Sequence, residues 1–164
     1  MERRQRVTVS RTKDDRFDQK LLETRRVTRV VAGGKRMSFR VVMVIGDHAG
    51  TVGIGVAKGK DVQQAIAKSL FQARKHMIKV PLVGDTIPHE IIAKHSSAQI
   101  ILKPARKGHG LIAGGAARIV LSFAGVKDVT AKLLGRTPNK LTNAMATMKA
   151  LEKLRAFKES TPKV

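Results

Sequence analysis

Two glycine-rich stretches combine residue types that hold anions. The first is Gly33-Gly34-Lys35-Arg36. Glycine permits a positive φ and a close backbone approach, and two adjacent cations reach phosphate oxygens. Taken alone, such a turn is more commonly a solvated hairpin tip. The second is Pro104-Ala105-Arg106-Lys107-Gly108-His109-Gly110-Leu111-Ile112-Ala113-Gly114-Gly115-Ala116-Ala117. A glycine-rich loop that opens a helix presents N–H groups at the positive end of the helix dipole, which suits an anion. A nucleotide phosphate is one such anion. Against it, the loop offers no Ser or Thr to Mg²⁺, and the nearby acids, chiefly Asp85, Glu90 and Asp128, are scattered. The five histidines (His48, His76, His89, His95, His109) show no metal-ligand spacing, and there is no cysteine. No catalytic constellation, metal site or cofactor is expected.

The composition points to a polyanion. The chain has 164 residues, 33 Lys+Arg against 12 Asp+Glu, a formal net charge of +21 and a pI near 11.4. A compact domain so charged repels itself until phosphates neutralise it, and nucleic acid does so with release of counterions. A membrane surface would call for aromatic anchors, yet aromatics are 3%, with no Trp or Tyr. The same scarcity disfavours the base-stacking readers of single strands and favours folded or duplex RNA, read through phosphates and 2′-hydroxyls. The longest strongly apolar run, residues 41–45, is too short to span a bilayer, and Arg3, Arg4 and Arg6 precede no apolar signal segment. The expected location is the cytoplasm, with no membrane association and no homo-oligomer.

These stretches need elements to position them. Residues 1–20 (Arg3, Arg4, Arg6, Arg11, Lys13, Arg16) read as a basic flexible arm. Three strands follow, at 27–32, 38–45 and 51–58. In the second, Phe39, Val41, Met43 and Ile45 share a face; in the third, Gly53, Gly55 and Ala57 make a face on which another backbone can pack closely. Asp61 caps a helix predicted to reach residue 78, with Lys68, Lys75 and Lys79 in one basic stripe and Phe71 beside it. That stripe is either a solvated face or a phosphate-facing one, and the lack of a Glu four residues before each Lys favours the second. Phe71 either covers the second half of the chain or lies against RNA. Residues 80–85 break the pattern and divide a 21–84 domain from an 85–158 domain. Beyond them come strands at 87–94 and 98–103, a loop at 104–110, a helix at 114–123, a strand at 126–134, an amphipathic helix at 139–157 and a tail at 159–164. The fold class is α+β: two small domains, each a sheet covered by helix.

The ordered blocks resemble one family. Val44-Ile45-Gly46-Asp47, Gly50-Thr51-Val52-Gly53-Ile54-Gly55, Ala73-Arg74-Lys75-His76-Met77 and Val80-Pro81-Leu82 resemble bacterial small-subunit ribosomal protein five. So do Thr86-Ile87-Pro88-His89, Leu102-Lys103-Pro104-Ala105, the run 108–116 and Ala124-Gly125-Val126. The resemblance covers residues 25–154, with Thr51, His76 and the run Arg136-Thr137-Pro138-Asn139 departing from the usual pattern. It implies a double-stranded-RNA-binding-like first domain and a second domain with a left-handed βαβ crossover, whereas chain statistics favour the opposite hand. It also implies binding to small-subunit rRNA beside ribosomal proteins four and eight, near the mRNA entry region, with an influence on decoding fidelity. Arg26, Thr28, Arg29, Gly33, Gly34, Lys35 and Arg36 then form a loop near the spectinomycin region, and Arg25, Lys58, Lys60, Lys68, Lys75 and Lys79 extend the RNA-binding surface. The second loop, with Arg106, Lys107, Gly108, Gly110 and Arg118, faces ribosomal protein four under this resemblance. It is also similar to the phosphate loop of kinases acting on galactose, homoserine or mevalonate, whose fold is related.

Overall fold

The computed structural model describes residues 17–155. The basic arm up to Arg16, Phe157 and the 159–164 tail lie outside the described residues. The first half comprises β1 (Asp18–Val31), β2 (Gly34–Gly46), β3 (Thr51–Gly59), α1 (Val62–Lys75) and β4 (Met77–Lys79). The second comprises β5 (Ile91–His95), β6 (Ala98–Pro104), β7 (Leu111–Ile112), α2 (Gly115–Phe123), β8 (Val129–Leu133) and α3 (Lys140–Glu152). The sheets run β1-β2-β3-β4, all antiparallel, and β5-β6-β8-β7. β7 and β8 are parallel neighbours joined through α2, so the second half contains a βαβ unit. The fold class is therefore α+β, as expected.

Several boundaries differ from the sequence expectation. β1 begins at Asp18, not residue 27, because it pairs with β2 along nearly its whole length and draws in the end of the supposed arm. A bulge between Leu21 and Glu23 turns Leu22 into the core, at 7% exposure. The first helix stops at Lys75 rather than 78: His76 leaves the helical region (φ −111°, ψ 36°), and Met77–Lys79 turns back to pair with β3 at Thr51, Val52 and Gly53. Lys79 is thus a strand residue and does not belong to a helical stripe with Lys68 and Lys75. Residues 87–90 precede the strand β5 rather than belonging to it. The two-residue β7 falls between the expected loop at 104–110 and helix at 114–123, too short to leave a periodic signal.

β2 shows how the halves join. Its alternation suggests one buried face, yet every residue from Val41 to Gly46 is buried. Val41 and Met43 pack on Ala65 of α1, while Val42 and Val44 enter a second apolar cluster that continues into β5, β6, α2, β8 and α3. α1 lies close on β3 because the β3 face beneath it is glycine. A Cβ on Gly55 would stand 1.9 Å from the Ser69 carbonyl oxygen, and one on Gly53 2.5 Å from that of Ala73.

The junction is a turn after β2 set against the end of α2. The N–H groups of His48 and Gly50 donate to the carbonyls of Phe123 and Ala124 at 3.2 and 3.1 Å, and the His48 ring meets the Ser122 carbonyl at 2.7 Å. These bonds satisfy the orphan carbonyls of a helix C-terminus. Gly46 lets the strand touch the helix end, since a Cβ there would lie 2.2 Å from the Phe123 oxygen. Asp47 shapes the turn by accepting from the Ala49 and Thr51 N–H groups, both at 2.8 Å. Partial burial pushes its carboxyl upward, but these hydrogen bonds prevail and hold it below 3.8.

Candidate nucleic-acid interface

The β1–β2 hairpin extends beyond the body of the protein. Past Leu22 nearly all of β1 is exposed or half-exposed, including Val30 at 75%. Its tip is a tight turn, residues 32–33, between the paired residues Val31 and Gly34. Gly34 has φ +134°, a conformation side chains rarely adopt, whereas a Cβ on Gly33 would meet nothing within 4 Å. Of the two glycines, Gly34 is the one the turn requires.

The register sorts the hairpin's charges. Arg29 stands directly opposite Arg36, and Val30 opposite Lys35. Further in, Arg25, Arg40 and Lys58 line up across three strands on the face away from α1. Like charges set opposite one another destabilise a sheet unless a counter-charge intervenes. For the inner row that counter-charge is Glu23, whose carboxylate lies 2.8 Å from Arg25 and 3.6 Å from Arg40. Among the described residues no carboxylate pairs with Arg26, Arg29, Lys35 or Arg36. Among the described residues the tip is therefore a cationic surface without a neutralising carboxylate, and the base of the hairpin a partly neutralised one. Thr28 adds an exposed hydroxyl, and Lys60 stands exposed just before α1. Lys68 and Lys75 are exposed on α1, two turns apart, and Lys79 is exposed on β4.

The second loop differs from its anion-site reading. Gly108 and Gly110 have φ +85° and +79°. Their N–H groups donate to Asp128 at 3.1 and 2.7 Å. These bonds, the one from Gly110 foremost, hold the Asp128 carboxyl below 3.8. Two of the loop's amides are thus occupied by a buried internal carboxylate, whose charge would repel a phosphate at that place. Arg118 donates to the Leu111 carbonyl at 3.1 Å, tying α2 to β7, and Arg106 and Lys107 are exposed. The N-cap, Gly114, has no side chain to cap α2. The loop is thus a cation-bearing knuckle tied to the fold through Asp128 and Arg118.

Asp128 also fixes the segment between the halves. Its N–H and that of Lys127 donate to the Asp85 carbonyl, at 3.0 and 2.9 Å, and Thr86 Oγ1 donates to the Asp128 carbonyl at 2.6 Å. Lys127 Nζ reaches Asp85 at 2.8 Å. Sequence reasoning missed Arg40 and Glu23 here, and took Asp128 for one of several scattered acids near the loop. Strand pairing gives the first two their meaning, and nothing near Asp128 in the chain signals its partners. Among the described residues no group of His, Asp and Glu could hold a metal ion, and no helix is long and apolar enough to cross a membrane.

Comparison with known proteins identifies the family. Residues 17–81 match the family model for the ribosomal protein S5 N-terminal domain, and residues 93–162 that for the S5 C-terminal domain. The chain belongs to the ribosomal protein S5 family. Small ribosomal subunit protein uS5 of Persephonella marina is 44% identical over 156 residues, covering 95% of this chain and 80% of that protein. The uS5c protein of Porphyra purpurea is 43% identical over 161 residues, covering 98% and 92%. The uS5 protein of Synechococcus elongatus is 45% identical over 148 residues, covering 90% and 82%. Both S5 domains fall on the two sheets described above, and the exposed hairpin lies within the N-terminal match.

Proposed function

We propose that this S5-family chain is a structural, non-catalytic component of the small ribosomal subunit in the cytoplasm, and that it binds small-subunit rRNA. The observation that carries the reading is the hairpin tip, where Arg29 and Arg36 oppose each other beside Lys35 and no carboxylate among the described residues relieves them. A free protein gains nothing from that arrangement, whereas phosphates of folded RNA would convert the repulsion into binding. Arg25, Arg26, Thr28, Lys58, Lys60, Lys68, Lys75 and Lys79 extend the surface. Ribosomal proteins four and eight are the proposed protein neighbours, with Arg106, Lys107, Gly108, Gly110 and Arg118 turned to the former. Through that contact the chain would influence decoding accuracy, and through the hairpin the spectinomycin region. The loop amides held by Asp128 disfavour the kinase alternative.

The test is binding of full-length protein to transcribed small-subunit rRNA across a salt series. Affinity should fall steeply with salt, and replacing both Lys35 and Arg36 with Ala should weaken binding and flatten the slope while leaving thermal stability intact. Salt-independent binding, or ATP turnover by pure protein, would overturn the reading.

A further inference from the structure

Phe71 is the one residue the sequence leaves between covering the second half and facing a partner, and the structure decides it. The cleft where α3 approaches the first half is lined by Gln72, Met77, Met145 and Met148, without Phe71. Phe71 is 59% exposed on α1. Its ring walls a second, shallow pocket of about 510 Å³, completed by Ala57, Ala67 and Lys68 and by Val56 and Gln72, which it shares with that cleft. The pocket exists because β4 covers β3 only from Thr51 to Gly53, which leaves Val56 and Ala57 beside an open sheet edge.

The pocket's chemistry is selective. Its floor is apolar, its one aromatic wall is a π-face, and the Gln72 amide offers both a donor and an acceptor. Lys68 stands on its rim, and Lys75 Nζ lies 4.4 Å from the ring centroid. Ala67 and Lys68 are one helical turn before Phe71 and Lys75 one turn after, so the two cations lie on either side of Phe71 along the helix. Among the described residues no carboxylate lines the pocket. Its volume is within the roughly 300–1,000 Å³ of small-ligand sites. An apolar slot with one π-face, one amide and a cationic rim matches an RNA base with its phosphates. A protein side chain would match the slot but leave the cations without a counterpart.

We infer that this pocket receives one unpaired base of the bound RNA, stacked on Phe71, with flanking phosphates at Lys68 and Lys75. The inference rests on the RNA-binding reading above and adds a base contact to a surface otherwise made for phosphates.

The test uses full-length protein and transcribed small-subunit rRNA. Phe71→Ala should weaken binding about five- to a hundred-fold, the range of one lost base stack. Its salt slope should match wild type, because no phosphate contact is removed. Phe71→Tyr should bind like wild type, and Phe71→Leu should lose most of what Ala loses. Thermal stability should hold in all three, since the ring is mainly exposed. Wild-type affinity in Phe71→Ala overturns the inference and leaves the RNA-binding reading standing. Full affinity in Phe71→Leu overturns it in favour of a plain apolar contact. Absence of RNA binding in wild type itself overturns both.

Discussion

Arg29 and Arg36 are a pair that no folded monomer needs. They sit opposite each other at the exposed end of a hairpin, and among the described residues no carboxylate reaches them. Replacing Arg36 with Ala removes a repulsion worth roughly 0.2–1 kcal/mol in a sheet. The free protein should therefore be as stable as wild type or slightly more so, while rRNA affinity falls and the salt slope drops by about one phosphate. Chemical denaturation and a salt titration on the same variant check both halves; a loss of stability would mean the pair has an internal role. Asp128 works the other way, since its carboxylate is consumed inside the fold. Accepting from Gly110 and Gly108 lowers its folded pKa below the ordinary 3.8, so the stability it contributes is fully present above that value. That contribution disappears as pH falls through the lower folded value. Asp128→Asn should melt below wild type at neutral pH, with the gap narrowing as pH drops beneath 3.8. A gap constant with pH would assign the loss to packing instead.

At the scale of elements, the glycine face of β3 sets how closely α1 can lie. Gly55→Ala places a Cβ 1.9 Å from a helix carbonyl, so α1 must shift away from Val41 and Met43. Overpacking of this kind costs about 1–3 kcal/mol, whereas Gly33→Ala, with open space around it, should stay within about 0.5 kcal/mol of wild type. Equal effects at both positions in equilibrium unfolding would remove the packing argument. This close face was legible in the sequence because small residues alternate with Val and Ile in a strand. The hairpin tip was legible in part: two glycines and two cations announce a turn at 33–36, but pairing with β1 sets the turn at residues 32–33 and takes Gly34, Lys35 and Arg36 into β2. Other elements were not. β4 and β7 are three and two residues long, and exist only because β3 and β8 are there to pair with. β1 is full-length because β2 is; its own residues, LETRRVTRV, carry little apolar alternation. Glu23 and Arg40, whose roles depend on register, are invisible for the same reason.

The whole molecule divides between β4 and β5, at residues 80–90, by sheet but not by core. Leu22, Val42 and Val44 of the first half belong to the same buried cluster as Ile100, Leu121 and Leu151 of the second. The turn after Gly46 holds the end of α2 through two backbone hydrogen bonds and the His48 ring, and the Lys127–Asp85 pair locks the connecting segment. Neither half can leave the other without exposing fully buried valines and the carbonyls of a helix end. The protein should therefore unfold as one unit, with calorimetric and van't Hoff enthalpies equal. Gly46→Ala tests the coupling directly. Its new Cβ would lie 2.2 Å from the Phe123 oxygen and 2.8 Å from the carbonyl carbon, so β2 and α2 must separate. Each half keeps its own sheet, and the first also keeps the Val41, Met43 and Ala65 cluster. The variant should thus melt lower and over a broader range, its calorimetric enthalpy exceeding the van't Hoff value as the halves open separately. High salt, which screens the self-repulsion of a +21 chain, should raise both melting temperatures without restoring the lost cooperativity. A single sharp transition in Gly46→Ala would show that the shared core alone couples the halves. Two transitions in wild type would show that they are coupled by neither the core nor the turn.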